Sequence, residues 1–225
     1  MSRRIETELI LNFQAGRIID MSLFYTLKRG WDILVCLLAL VLIWPILAVI
    51  AIAIRIESKG PAIFKQQRAG KDGQPFTFYK FRTMHVDADP FGPSPKSGKD
   101  PRLTRTGRIL REYYLDELPQ LFNILRGDMS VVGPRPLYLS QVPEWSDRQK
   151  KRLLVKPGLT GLAQISGRAE LTREEKLDLD VKYVETAGFS TDMKILWATI
   201  THVLKKKGVY EKRYSQDQYT RGVKQ

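Results

Sequence analysis

The hydrophobic pattern along the chain changes character at two places. Residues 33–54 form a run of 22 residues without a single charge. As a helix the run reaches about 33 Å, close to the thickness of a bilayer core. It is apolar on every face, which fits a lipid surround better than a soluble core. Upstream, Leu9, Ile10, Leu11 and Phe13, then Ile18 and Ile19, then Leu23, Phe24 and Leu27 suggest amphipathic turns. These either lie along a membrane interface or pack on the soluble part. Downstream, residues 62–84 switch to short alternation. Phe76–Thr77–Phe78–Tyr79–Lys80–Phe81 alternates after a turn at Lys71–Asp72–Gly73, so a β-hairpin is expected.

Residues 86–104 contain four prolines with glycines and aspartates, and read as a loop that is either a surface connection or a lid. Helical spacing resumes over 107–125, over 172–183, and over 192–204. Lys205, Lys206 and Lys207 suit the end of the last helix, and Trp197 with these lysines suits a bilayer surface. The division expected is an N-terminal interfacial segment at 1–30, a membrane helix at 31–56, a catalytic domain at 57–209, and a polar tail at 210–225. The class expected is α+β and helix-rich, with one small β-hairpin.

Pro45, after Trp44, stands in the middle of the apolar run. Proline removes an N–H and crowds the preceding turn, so a break is expected there. Both flanks are basic: Arg17, Lys28 and Arg29 precede the run, and Arg55, Lys59, Lys65, Arg68 and Lys71 follow it. Basic flanks favour the cytoplasmic side. A helix–break–helix hairpin that re-enters one leaflet keeps both flanks inside, whereas a kinked spanning helix does not. No secretory signal with a cleavage site is expected.

Charge then adds a partner class. The net charge of +13 on 225 residues suggests polyanions: nucleic acid, an anionic membrane face, or phosphorylated small molecules. A single cysteine, Cys36, precludes an intrachain disulfide, and two histidines, His85 and His202, argue against zinc.

The candidate chemistry centres on Leu115–Asp116–Glu117–Leu118–Pro119. Pro119 belongs in the first turn of a helix, which sets Asp116 near a helix start, where phosphate is attracted. A carboxylate needs no base to attack phosphorus, and the product is an acyl phosphate. Glu117 can hold Mg²⁺. Ordinary helix capping is the alternative for Asp116. Arg111, Arg135 in Gly133–Pro134–Arg135–Pro136, and Arg168 after Gly167 present guanidiniums suited to phosphate. Together they describe a diphosphate site.

At this point the sequence resembles the bacterial sugar transferase family, the monotopic phosphoglycosyl transferases. The matching motifs are Tyr79–Lys80–Phe81–Arg82–Thr83–Met84, Leu115–Asp116–Glu117–Leu118–Pro119–Gln120–Leu121, the run 127–136, and 156–161 through Gly167–Arg168. The resemblance covers residues 24–208. It implies a re-entrant membrane helix and a catalytic domain on the cytosolic face of the bacterial inner membrane, beside anionic inner-leaflet lipids. It further implies a ping-pong reaction with Mg²⁺. Asp116 then attacks a UDP-sugar and releases UMP, and polyprenyl (undecaprenyl) phosphate takes the sugar phosphate. Glu117 then binds the metal, while Arg111, Arg135, Arg168, Lys80 and Arg82 face phosphates. Trp44 replaces a serine common before the hairpin proline, so no hydroxyl satisfies the backbone at the bend. The alternatives are a nucleic-acid binder, a scaffold without turnover, and a multi-span transferase. The nucleic-acid binder leaves the apolar segment and the carboxylate pair unexplained, the intact pair argues against a scaffold, and a single apolar segment leaves little room for a multi-span enzyme. The nature of the sugar and the oligomeric state are not encoded legibly.

Overall fold

The computed structural model describes residues 2–92 and 94–204, with side chains in the first helix described from Ser22 onward. The expected interfacial side chains before Ser22, Lys205 to Lys207, and the polar tail at 210–225 lie outside the described residues.

The chain opens with one long helix, α1 (Ser2–Glu57). A hairpin follows, β1 (Ile63–Ala69) and β2 (Pro75–Phe81), antiparallel with Gln66 opposite Phe78. Then come α2 (Arg105–Glu112), α3 (Gln120–Arg126), and a short strand β3 (Ser130–Val132). A one-turn helix α4 (Asp147–Lys150) leads to β4 (Gly158–Thr160), which pairs parallel with β3. Three helices close the domain: α5 (Leu162–Ile165), α6 (Arg173–Glu185) and α7 (Phe189–Leu204). The helix-rich α+β class expected from the pattern is the one observed, hairpin included.

Pro45 does not divide α1: the helix is assigned without interruption across it. The expected break is therefore absent. A single proline forfeits one hydrogen bond and strains one turn, at about 3 kcal/mol. Lateral packing, through Cys36 on one side of Pro45 and Ile50 and Ile54 on the other, offsets that cost.

The packing of α1 is one-sided. Cys36 joins the main core with Phe78, Ile124, Met129, Tyr183 and Ile195, while Ile50 and Ile54 join a second cluster with Phe81 and Leu110. The other side exposes Leu38, Val41, Leu42, Trp44, Val49, Ile52 and Ile56. The helix is long and apolar enough to cross a membrane, and only 11% of its most apolar stretch is buried. An apolar surface of this kind calls for a partner or a lipid environment.

Both ends of this apolar stretch are fastened to the same domain. At the near end Arg29 donates to the carbonyls of Ile124 (2.5 Å) and Leu125 (2.8 Å), closing the end of α3. Lys28 pairs with Asp192 on α7, and Asp32 accepts the Val131 N–H at 3.1 Å. At the far end Glu57 accepts the Arg105 and Thr106 N–H groups at 2.6 and 2.9 Å, satisfying the free donors at the start of α2. Arg82 returns the favour at the end of α1, donating to the Lys59 and Ser58 carbonyls at 2.6 and 2.8 Å.

The β3–β4 pair is built for close backbone approach. A Cβ on Gly158 would stand 2.1 Å from the Gly133 nitrogen, and one on Gly133 would stand 2.5 Å from the Lys156 carbonyl oxygen. Only glycines allow the two strand ends to meet this closely. The Gly133 N–H donates to Thr160 O, and the Gly158 N–H donates to Pro134 O, each at 2.8 Å. The loop carrying Arg135 leaves from this junction.

Candidate active site

The expected helix over 107–125 is two helices with a sharp corner between them. α2 ends at Glu112, and Tyr114 takes a left-handed conformation with φ of 59°. A non-glycine residue in that region is uncommon and carries strain. The corner continues as a single 3₁₀ turn, Leu115–Glu117, and Pro119 begins α3. Having no N–H, Pro119 cannot extend a helix arriving from Leu115, so the chain restarts there. Asp116 and Glu117 thus sit on the corner and face into the domain. α3 is held at its midpoint by Asn123, which is fully buried. Its amide donates to Thr77 O at 2.7 Å and accepts the Tyr79 N–H at 3.0 Å. That pair of bonds fixes α3 against β2 and brings Lys80 beside the corner.

A cavity of about 240 Å³ opens at this corner. Lys80, Arg111, Asp116, Glu117, Arg135 and Arg168 all line it. Six of the seven expected phosphate and catalytic residues therefore converge from segments far apart in sequence. Arg82 is the exception: its guanidinium is spent on the Ser58 and Lys59 carbonyls and the Ser58 hydroxyl, away from the cavity. Its role is to close α1, and nothing in the motif distinguishes it from Lys80 two residues earlier.

Glu117 is clamped by two arginines. Arg135 grips it bidentately, at 2.8 Å to Oε1 and 3.1 Å to Oε2, and Arg168 reaches Oε1 at 3.2 Å. The Arg168 guanidinium also stacks 4.1 Å above the Tyr114 ring. Arg168 itself has φ of 47°. Two strained residues thus meet at one carboxylate, which is the pattern expected where geometry serves a function. Burial works against the Glu117 charge, but Arg135 and Arg168 outweigh it and hold the carboxyl at about 2.

Asp116 behaves differently. It is 7% exposed. Burial, then the neighbouring Glu117 charge, raises its proton affinity, while Arg111, Lys80 and Arg168 oppose the rise. Two carboxylates in one site are pushed apart in this way, one firmly ionised and one basic. Lys80 is lowered to about 8, first by burial and then by Arg111, with Asp116 pulling the other way. Arg111 is oriented by Thr83, whose hydroxyl accepts from Nε at 3.0 Å.

The walls also hold residues that the sequence reading passed over. Arg68 stacks 3.7 Å above the Tyr138 ring and donates to Gln66 at 2.6 Å. Arg173, Lys176 and Asp180 line the cavity from α6. Their spacing of three and four residues puts them on one helix face, a signal that was present in the sequence. With these included, seven cationic side chains (Arg68, Lys80, Arg111, Arg135, Arg168, Arg173, Lys176) face three carboxylates (Asp116, Glu117, Asp180). The surplus suits a dianionic diphosphate. Asp180 pairs with Arg152 at 2.7 Å, both 3% exposed or less. Arg152 donates in turn to the carbonyl of Arg135, so this buried pair supports the loop that carries the clamp.

Among the described residues no group of three or more His, Cys, Asp or Glu side chains gathers as a metal cage. Adjacent carboxylates beside a phosphate site are nonetheless the donor set that Mg²⁺ accepts, because substrate phosphate oxygens and water complete its shell. Glu117 is the carboxylate at this corner that would serve as such a donor, held in place by Arg135 and Arg168.

Comparison with known proteins identifies the family. Residues 23–206 match the model of the bacterial sugar transferase family. An uncharacterized sugar transferase of Bacillus subtilis, EpsL, is 43% identical over 185 residues, which is 82% of this chain and 91% of the relative. A UDP-glucose:undecaprenyl-phosphate glucose-1-phosphate transferase of Caulobacter vibrioides is 42% identical over 81% of this chain and 72% of its own length. A protein of the same name from Escherichia coli is 40% identical over 82% of this chain, which matches 41% of that longer relative. With the family model spanning nearly the whole described domain and the carboxylate corner inside it, the chain belongs to the bacterial sugar transferase family.

Proposed function

We propose that this chain transfers a sugar 1-phosphate from a UDP-sugar to a polyprenyl phosphate, undecaprenyl phosphate in bacteria, and releases UMP. Such a step opens the membrane stage of a glycan: O-antigen, capsule, exopolysaccharide or glycoprotein glycan. The names of the Caulobacter and Escherichia relatives support the donor and acceptor classes. The observation that carries the mechanism is the corner itself: a basic, buried carboxylate beside an arginine-clamped one, in a cavity with surplus positive charge.

Asp116 acts as nucleophile. Its carboxylate oxygen attacks the sugar-bearing phosphorus, a new P–O bond forms, and the P–O bond to the UMP moiety breaks. UMP leaves with the electron pair, and no proton need move. A carboxylate of raised basicity is the better nucleophile once ionised, and Arg111 and Lys80 stabilise the charge spread over the phosphoryl oxygens. In the second step a phosphate oxygen of the polyprenyl phosphate attacks the same phosphorus. The bond to Asp116 breaks, and the carboxylate is restored. Glu117, fixed by Arg135 and Arg168, is the residue that would hold Mg²⁺, and the cation would supply positive charge to the phosphate oxygens.

The bilayer supplies the setting. The stretch Ser22–Glu57 has 36 residues, about 54 Å of helix, well beyond the ~30 Å hydrocarbon core. Arg29 at one end and Glu57 at the other dock on the same polar domain. Opposite-side ends would drag that domain into lipid. We therefore place both ends of α1 at the cytosolic face, with its exposed apolar side in one leaflet, the catalytic domain beside it and the basic flanks against anionic headgroups. No nucleic acid is involved.

Four outcomes are expected. Asp116→Asn should abolish UMP release, by about 10³-fold or more, while the protein stays in the membrane fraction. Chelation of divalent cations should likewise stop wild-type release; near-normal turnover of the variant removes Asp116 from the nucleophile role. For pH, Lys80 loses its charge as pH rises through about 8, so kcat/KM for UMP release should fall on that alkaline limb. Lys80→Arg should move the limb upward, and an unchanged limb dissociates Lys80 from the phosphates. For topology, cysteines placed at Ser22 and Lys59 should both be labelled from the cytosolic side of membrane vesicles. Labelling from opposite sides refutes re-entry.

A further inference from the structure

A second cavity, of about 210 Å³, opens between the corner and α7. Its walls include Leu118, Val131, Leu159, Ile165, Leu196 and Val203, so hydrocarbon dominates. It nonetheless shares Tyr114, Glu117, Arg135, Gln164 and Arg168 with the cationic cavity. The two spaces therefore meet at the clamped carboxylate, one lined by charge and the other by carbon.

We propose that this second cavity receives the first isoprene units of the lipid acceptor, with the acceptor's phosphate at Arg168 and Gln164 where the cavities join. The assignment rests on the phosphoglycosyl transfer proposed above and adds where the acceptor lies.

The chemistry of the two spaces is that of an amphiphile with an anionic head and an apolar tail. A guanidinium at the join complements the phosphate. Gln164 supplies an independent sign of a ligand. It is 9% exposed, and both atoms of its carboxamide are buried without a hydrogen-bond partner. Buried polar atoms are seldom left unpaired, and a phosphate oxygen at the join would accept from the amide nitrogen. The path outward also fits. α7 lines the cavity with Leu196, Thr199 and Val203, and its outer side exposes Trp197 and Ile200, at 72% and 54%. A chain leaving the cavity along α7 passes onto an apolar, tryptophan-bearing surface of the kind found at a bilayer boundary. The donor, a hydrophilic nucleotide sugar, has no counterpart for these walls and enters through the cationic side.

The location accounts for how two unlike substrates reach one phosphorus in turn. UMP departs through the polar cavity, and the acceptor phosphate, already anchored by its tail, is next to the aspartyl phosphosugar. One P–O bond forms from the acceptor oxygen as the P–O bond to Asp116 breaks. The charges balance without a proton.

The test is photolabelling of the full chain in bilayer nanodiscs with a polyprenyl phosphate that bears a diazirine on the isoprene next to the phosphate. Adducts are expected within residues 159–165 and 196–203, and unlabelled polyprenyl phosphate should suppress them. Adducts confined to α1, or adducts not suppressed by competitor, overturn the assignment. In parallel, Val203→Trp, which fills the cavity, should raise the acceptor KM by about tenfold or more while the donor KM is unchanged. UMP released by the variant in the absence of acceptor should match wild type, which reports an intact donor side. An unchanged acceptor KM in that variant contradicts the proposal. Failure of wild type to release UMP without acceptor strikes the covalent mechanism instead, and the labelling map still decides where the lipid lies.

Discussion

The ion pair between Glu117 and the two guanidiniums of Arg135 and Arg168 is the interaction on which the site depends. It joins three segments that are otherwise remote: the corner after α2, the loop after β3, and the turn after α5. Glu117 is thereby held ionised, and its charge makes the neighbouring Asp116 harder to ionise than an isolated aspartate. The difference between the two carboxylates is a consequence of partners, since residue type is nearly the same. The clamp itself is braced from behind. The buried Arg152–Asp180 pair holds the Arg135 carbonyl, and the Gly133–Gly158 contact fixes where the loop departs. A buried pair of this kind is weak as a source of stability, but removing one partner leaves a charge stranded beside the site.

Much of this was legible in the sequence because the signals are local. Alternation over 76–81 gave β2, and Pro119 marked the start of α3. Helical spacing located α6 and α7 within a few residues. The pairing of Asp116 with Arg111, Arg135 and Arg168 was legible through motifs, and the cavity unites them. What escaped was set by tertiary contacts. Periodicity over 107–125 runs straight through Tyr114, because a single left-handed residue leaves no mark on hydrophobic spacing. Lys80 is on β2 and Arg82 follows just after its end, two residues on and within one motif. One lines the cationic cavity and the other closes a helix, because α1 ends beside Arg82. Pro45 was a sound local signal for a break, yet packing on both sides carries the helix through it.

The long apolar helix and the catalytic corner are parts of one arrangement. Phe81, at the end of β2, packs on Ile50 and Ile54 of α1, and Lys80, its neighbour, lines the cationic cavity. Leu115 and Leu118 flank the carboxylate pair and pack on the same cluster. The corner is thus one side chain removed from the helix with the exposed apolar side. A water-soluble donor and a lipid-borne acceptor would meet at a boundary of this kind, which is the setting of the proposed transfer.

The most direct measurement is the intact mass of the protein during turnover. Enzyme mixed with a UDP-sugar and no acceptor, then quenched, should gain the mass of one sugar phosphate. Peptide mapping should place it on Asp116, and polyprenyl phosphate should discharge it at a rate matching turnover. Catalysis that proceeds with no protein-bound sugar phosphate at any time, or with the adduct on another residue, contradicts the account.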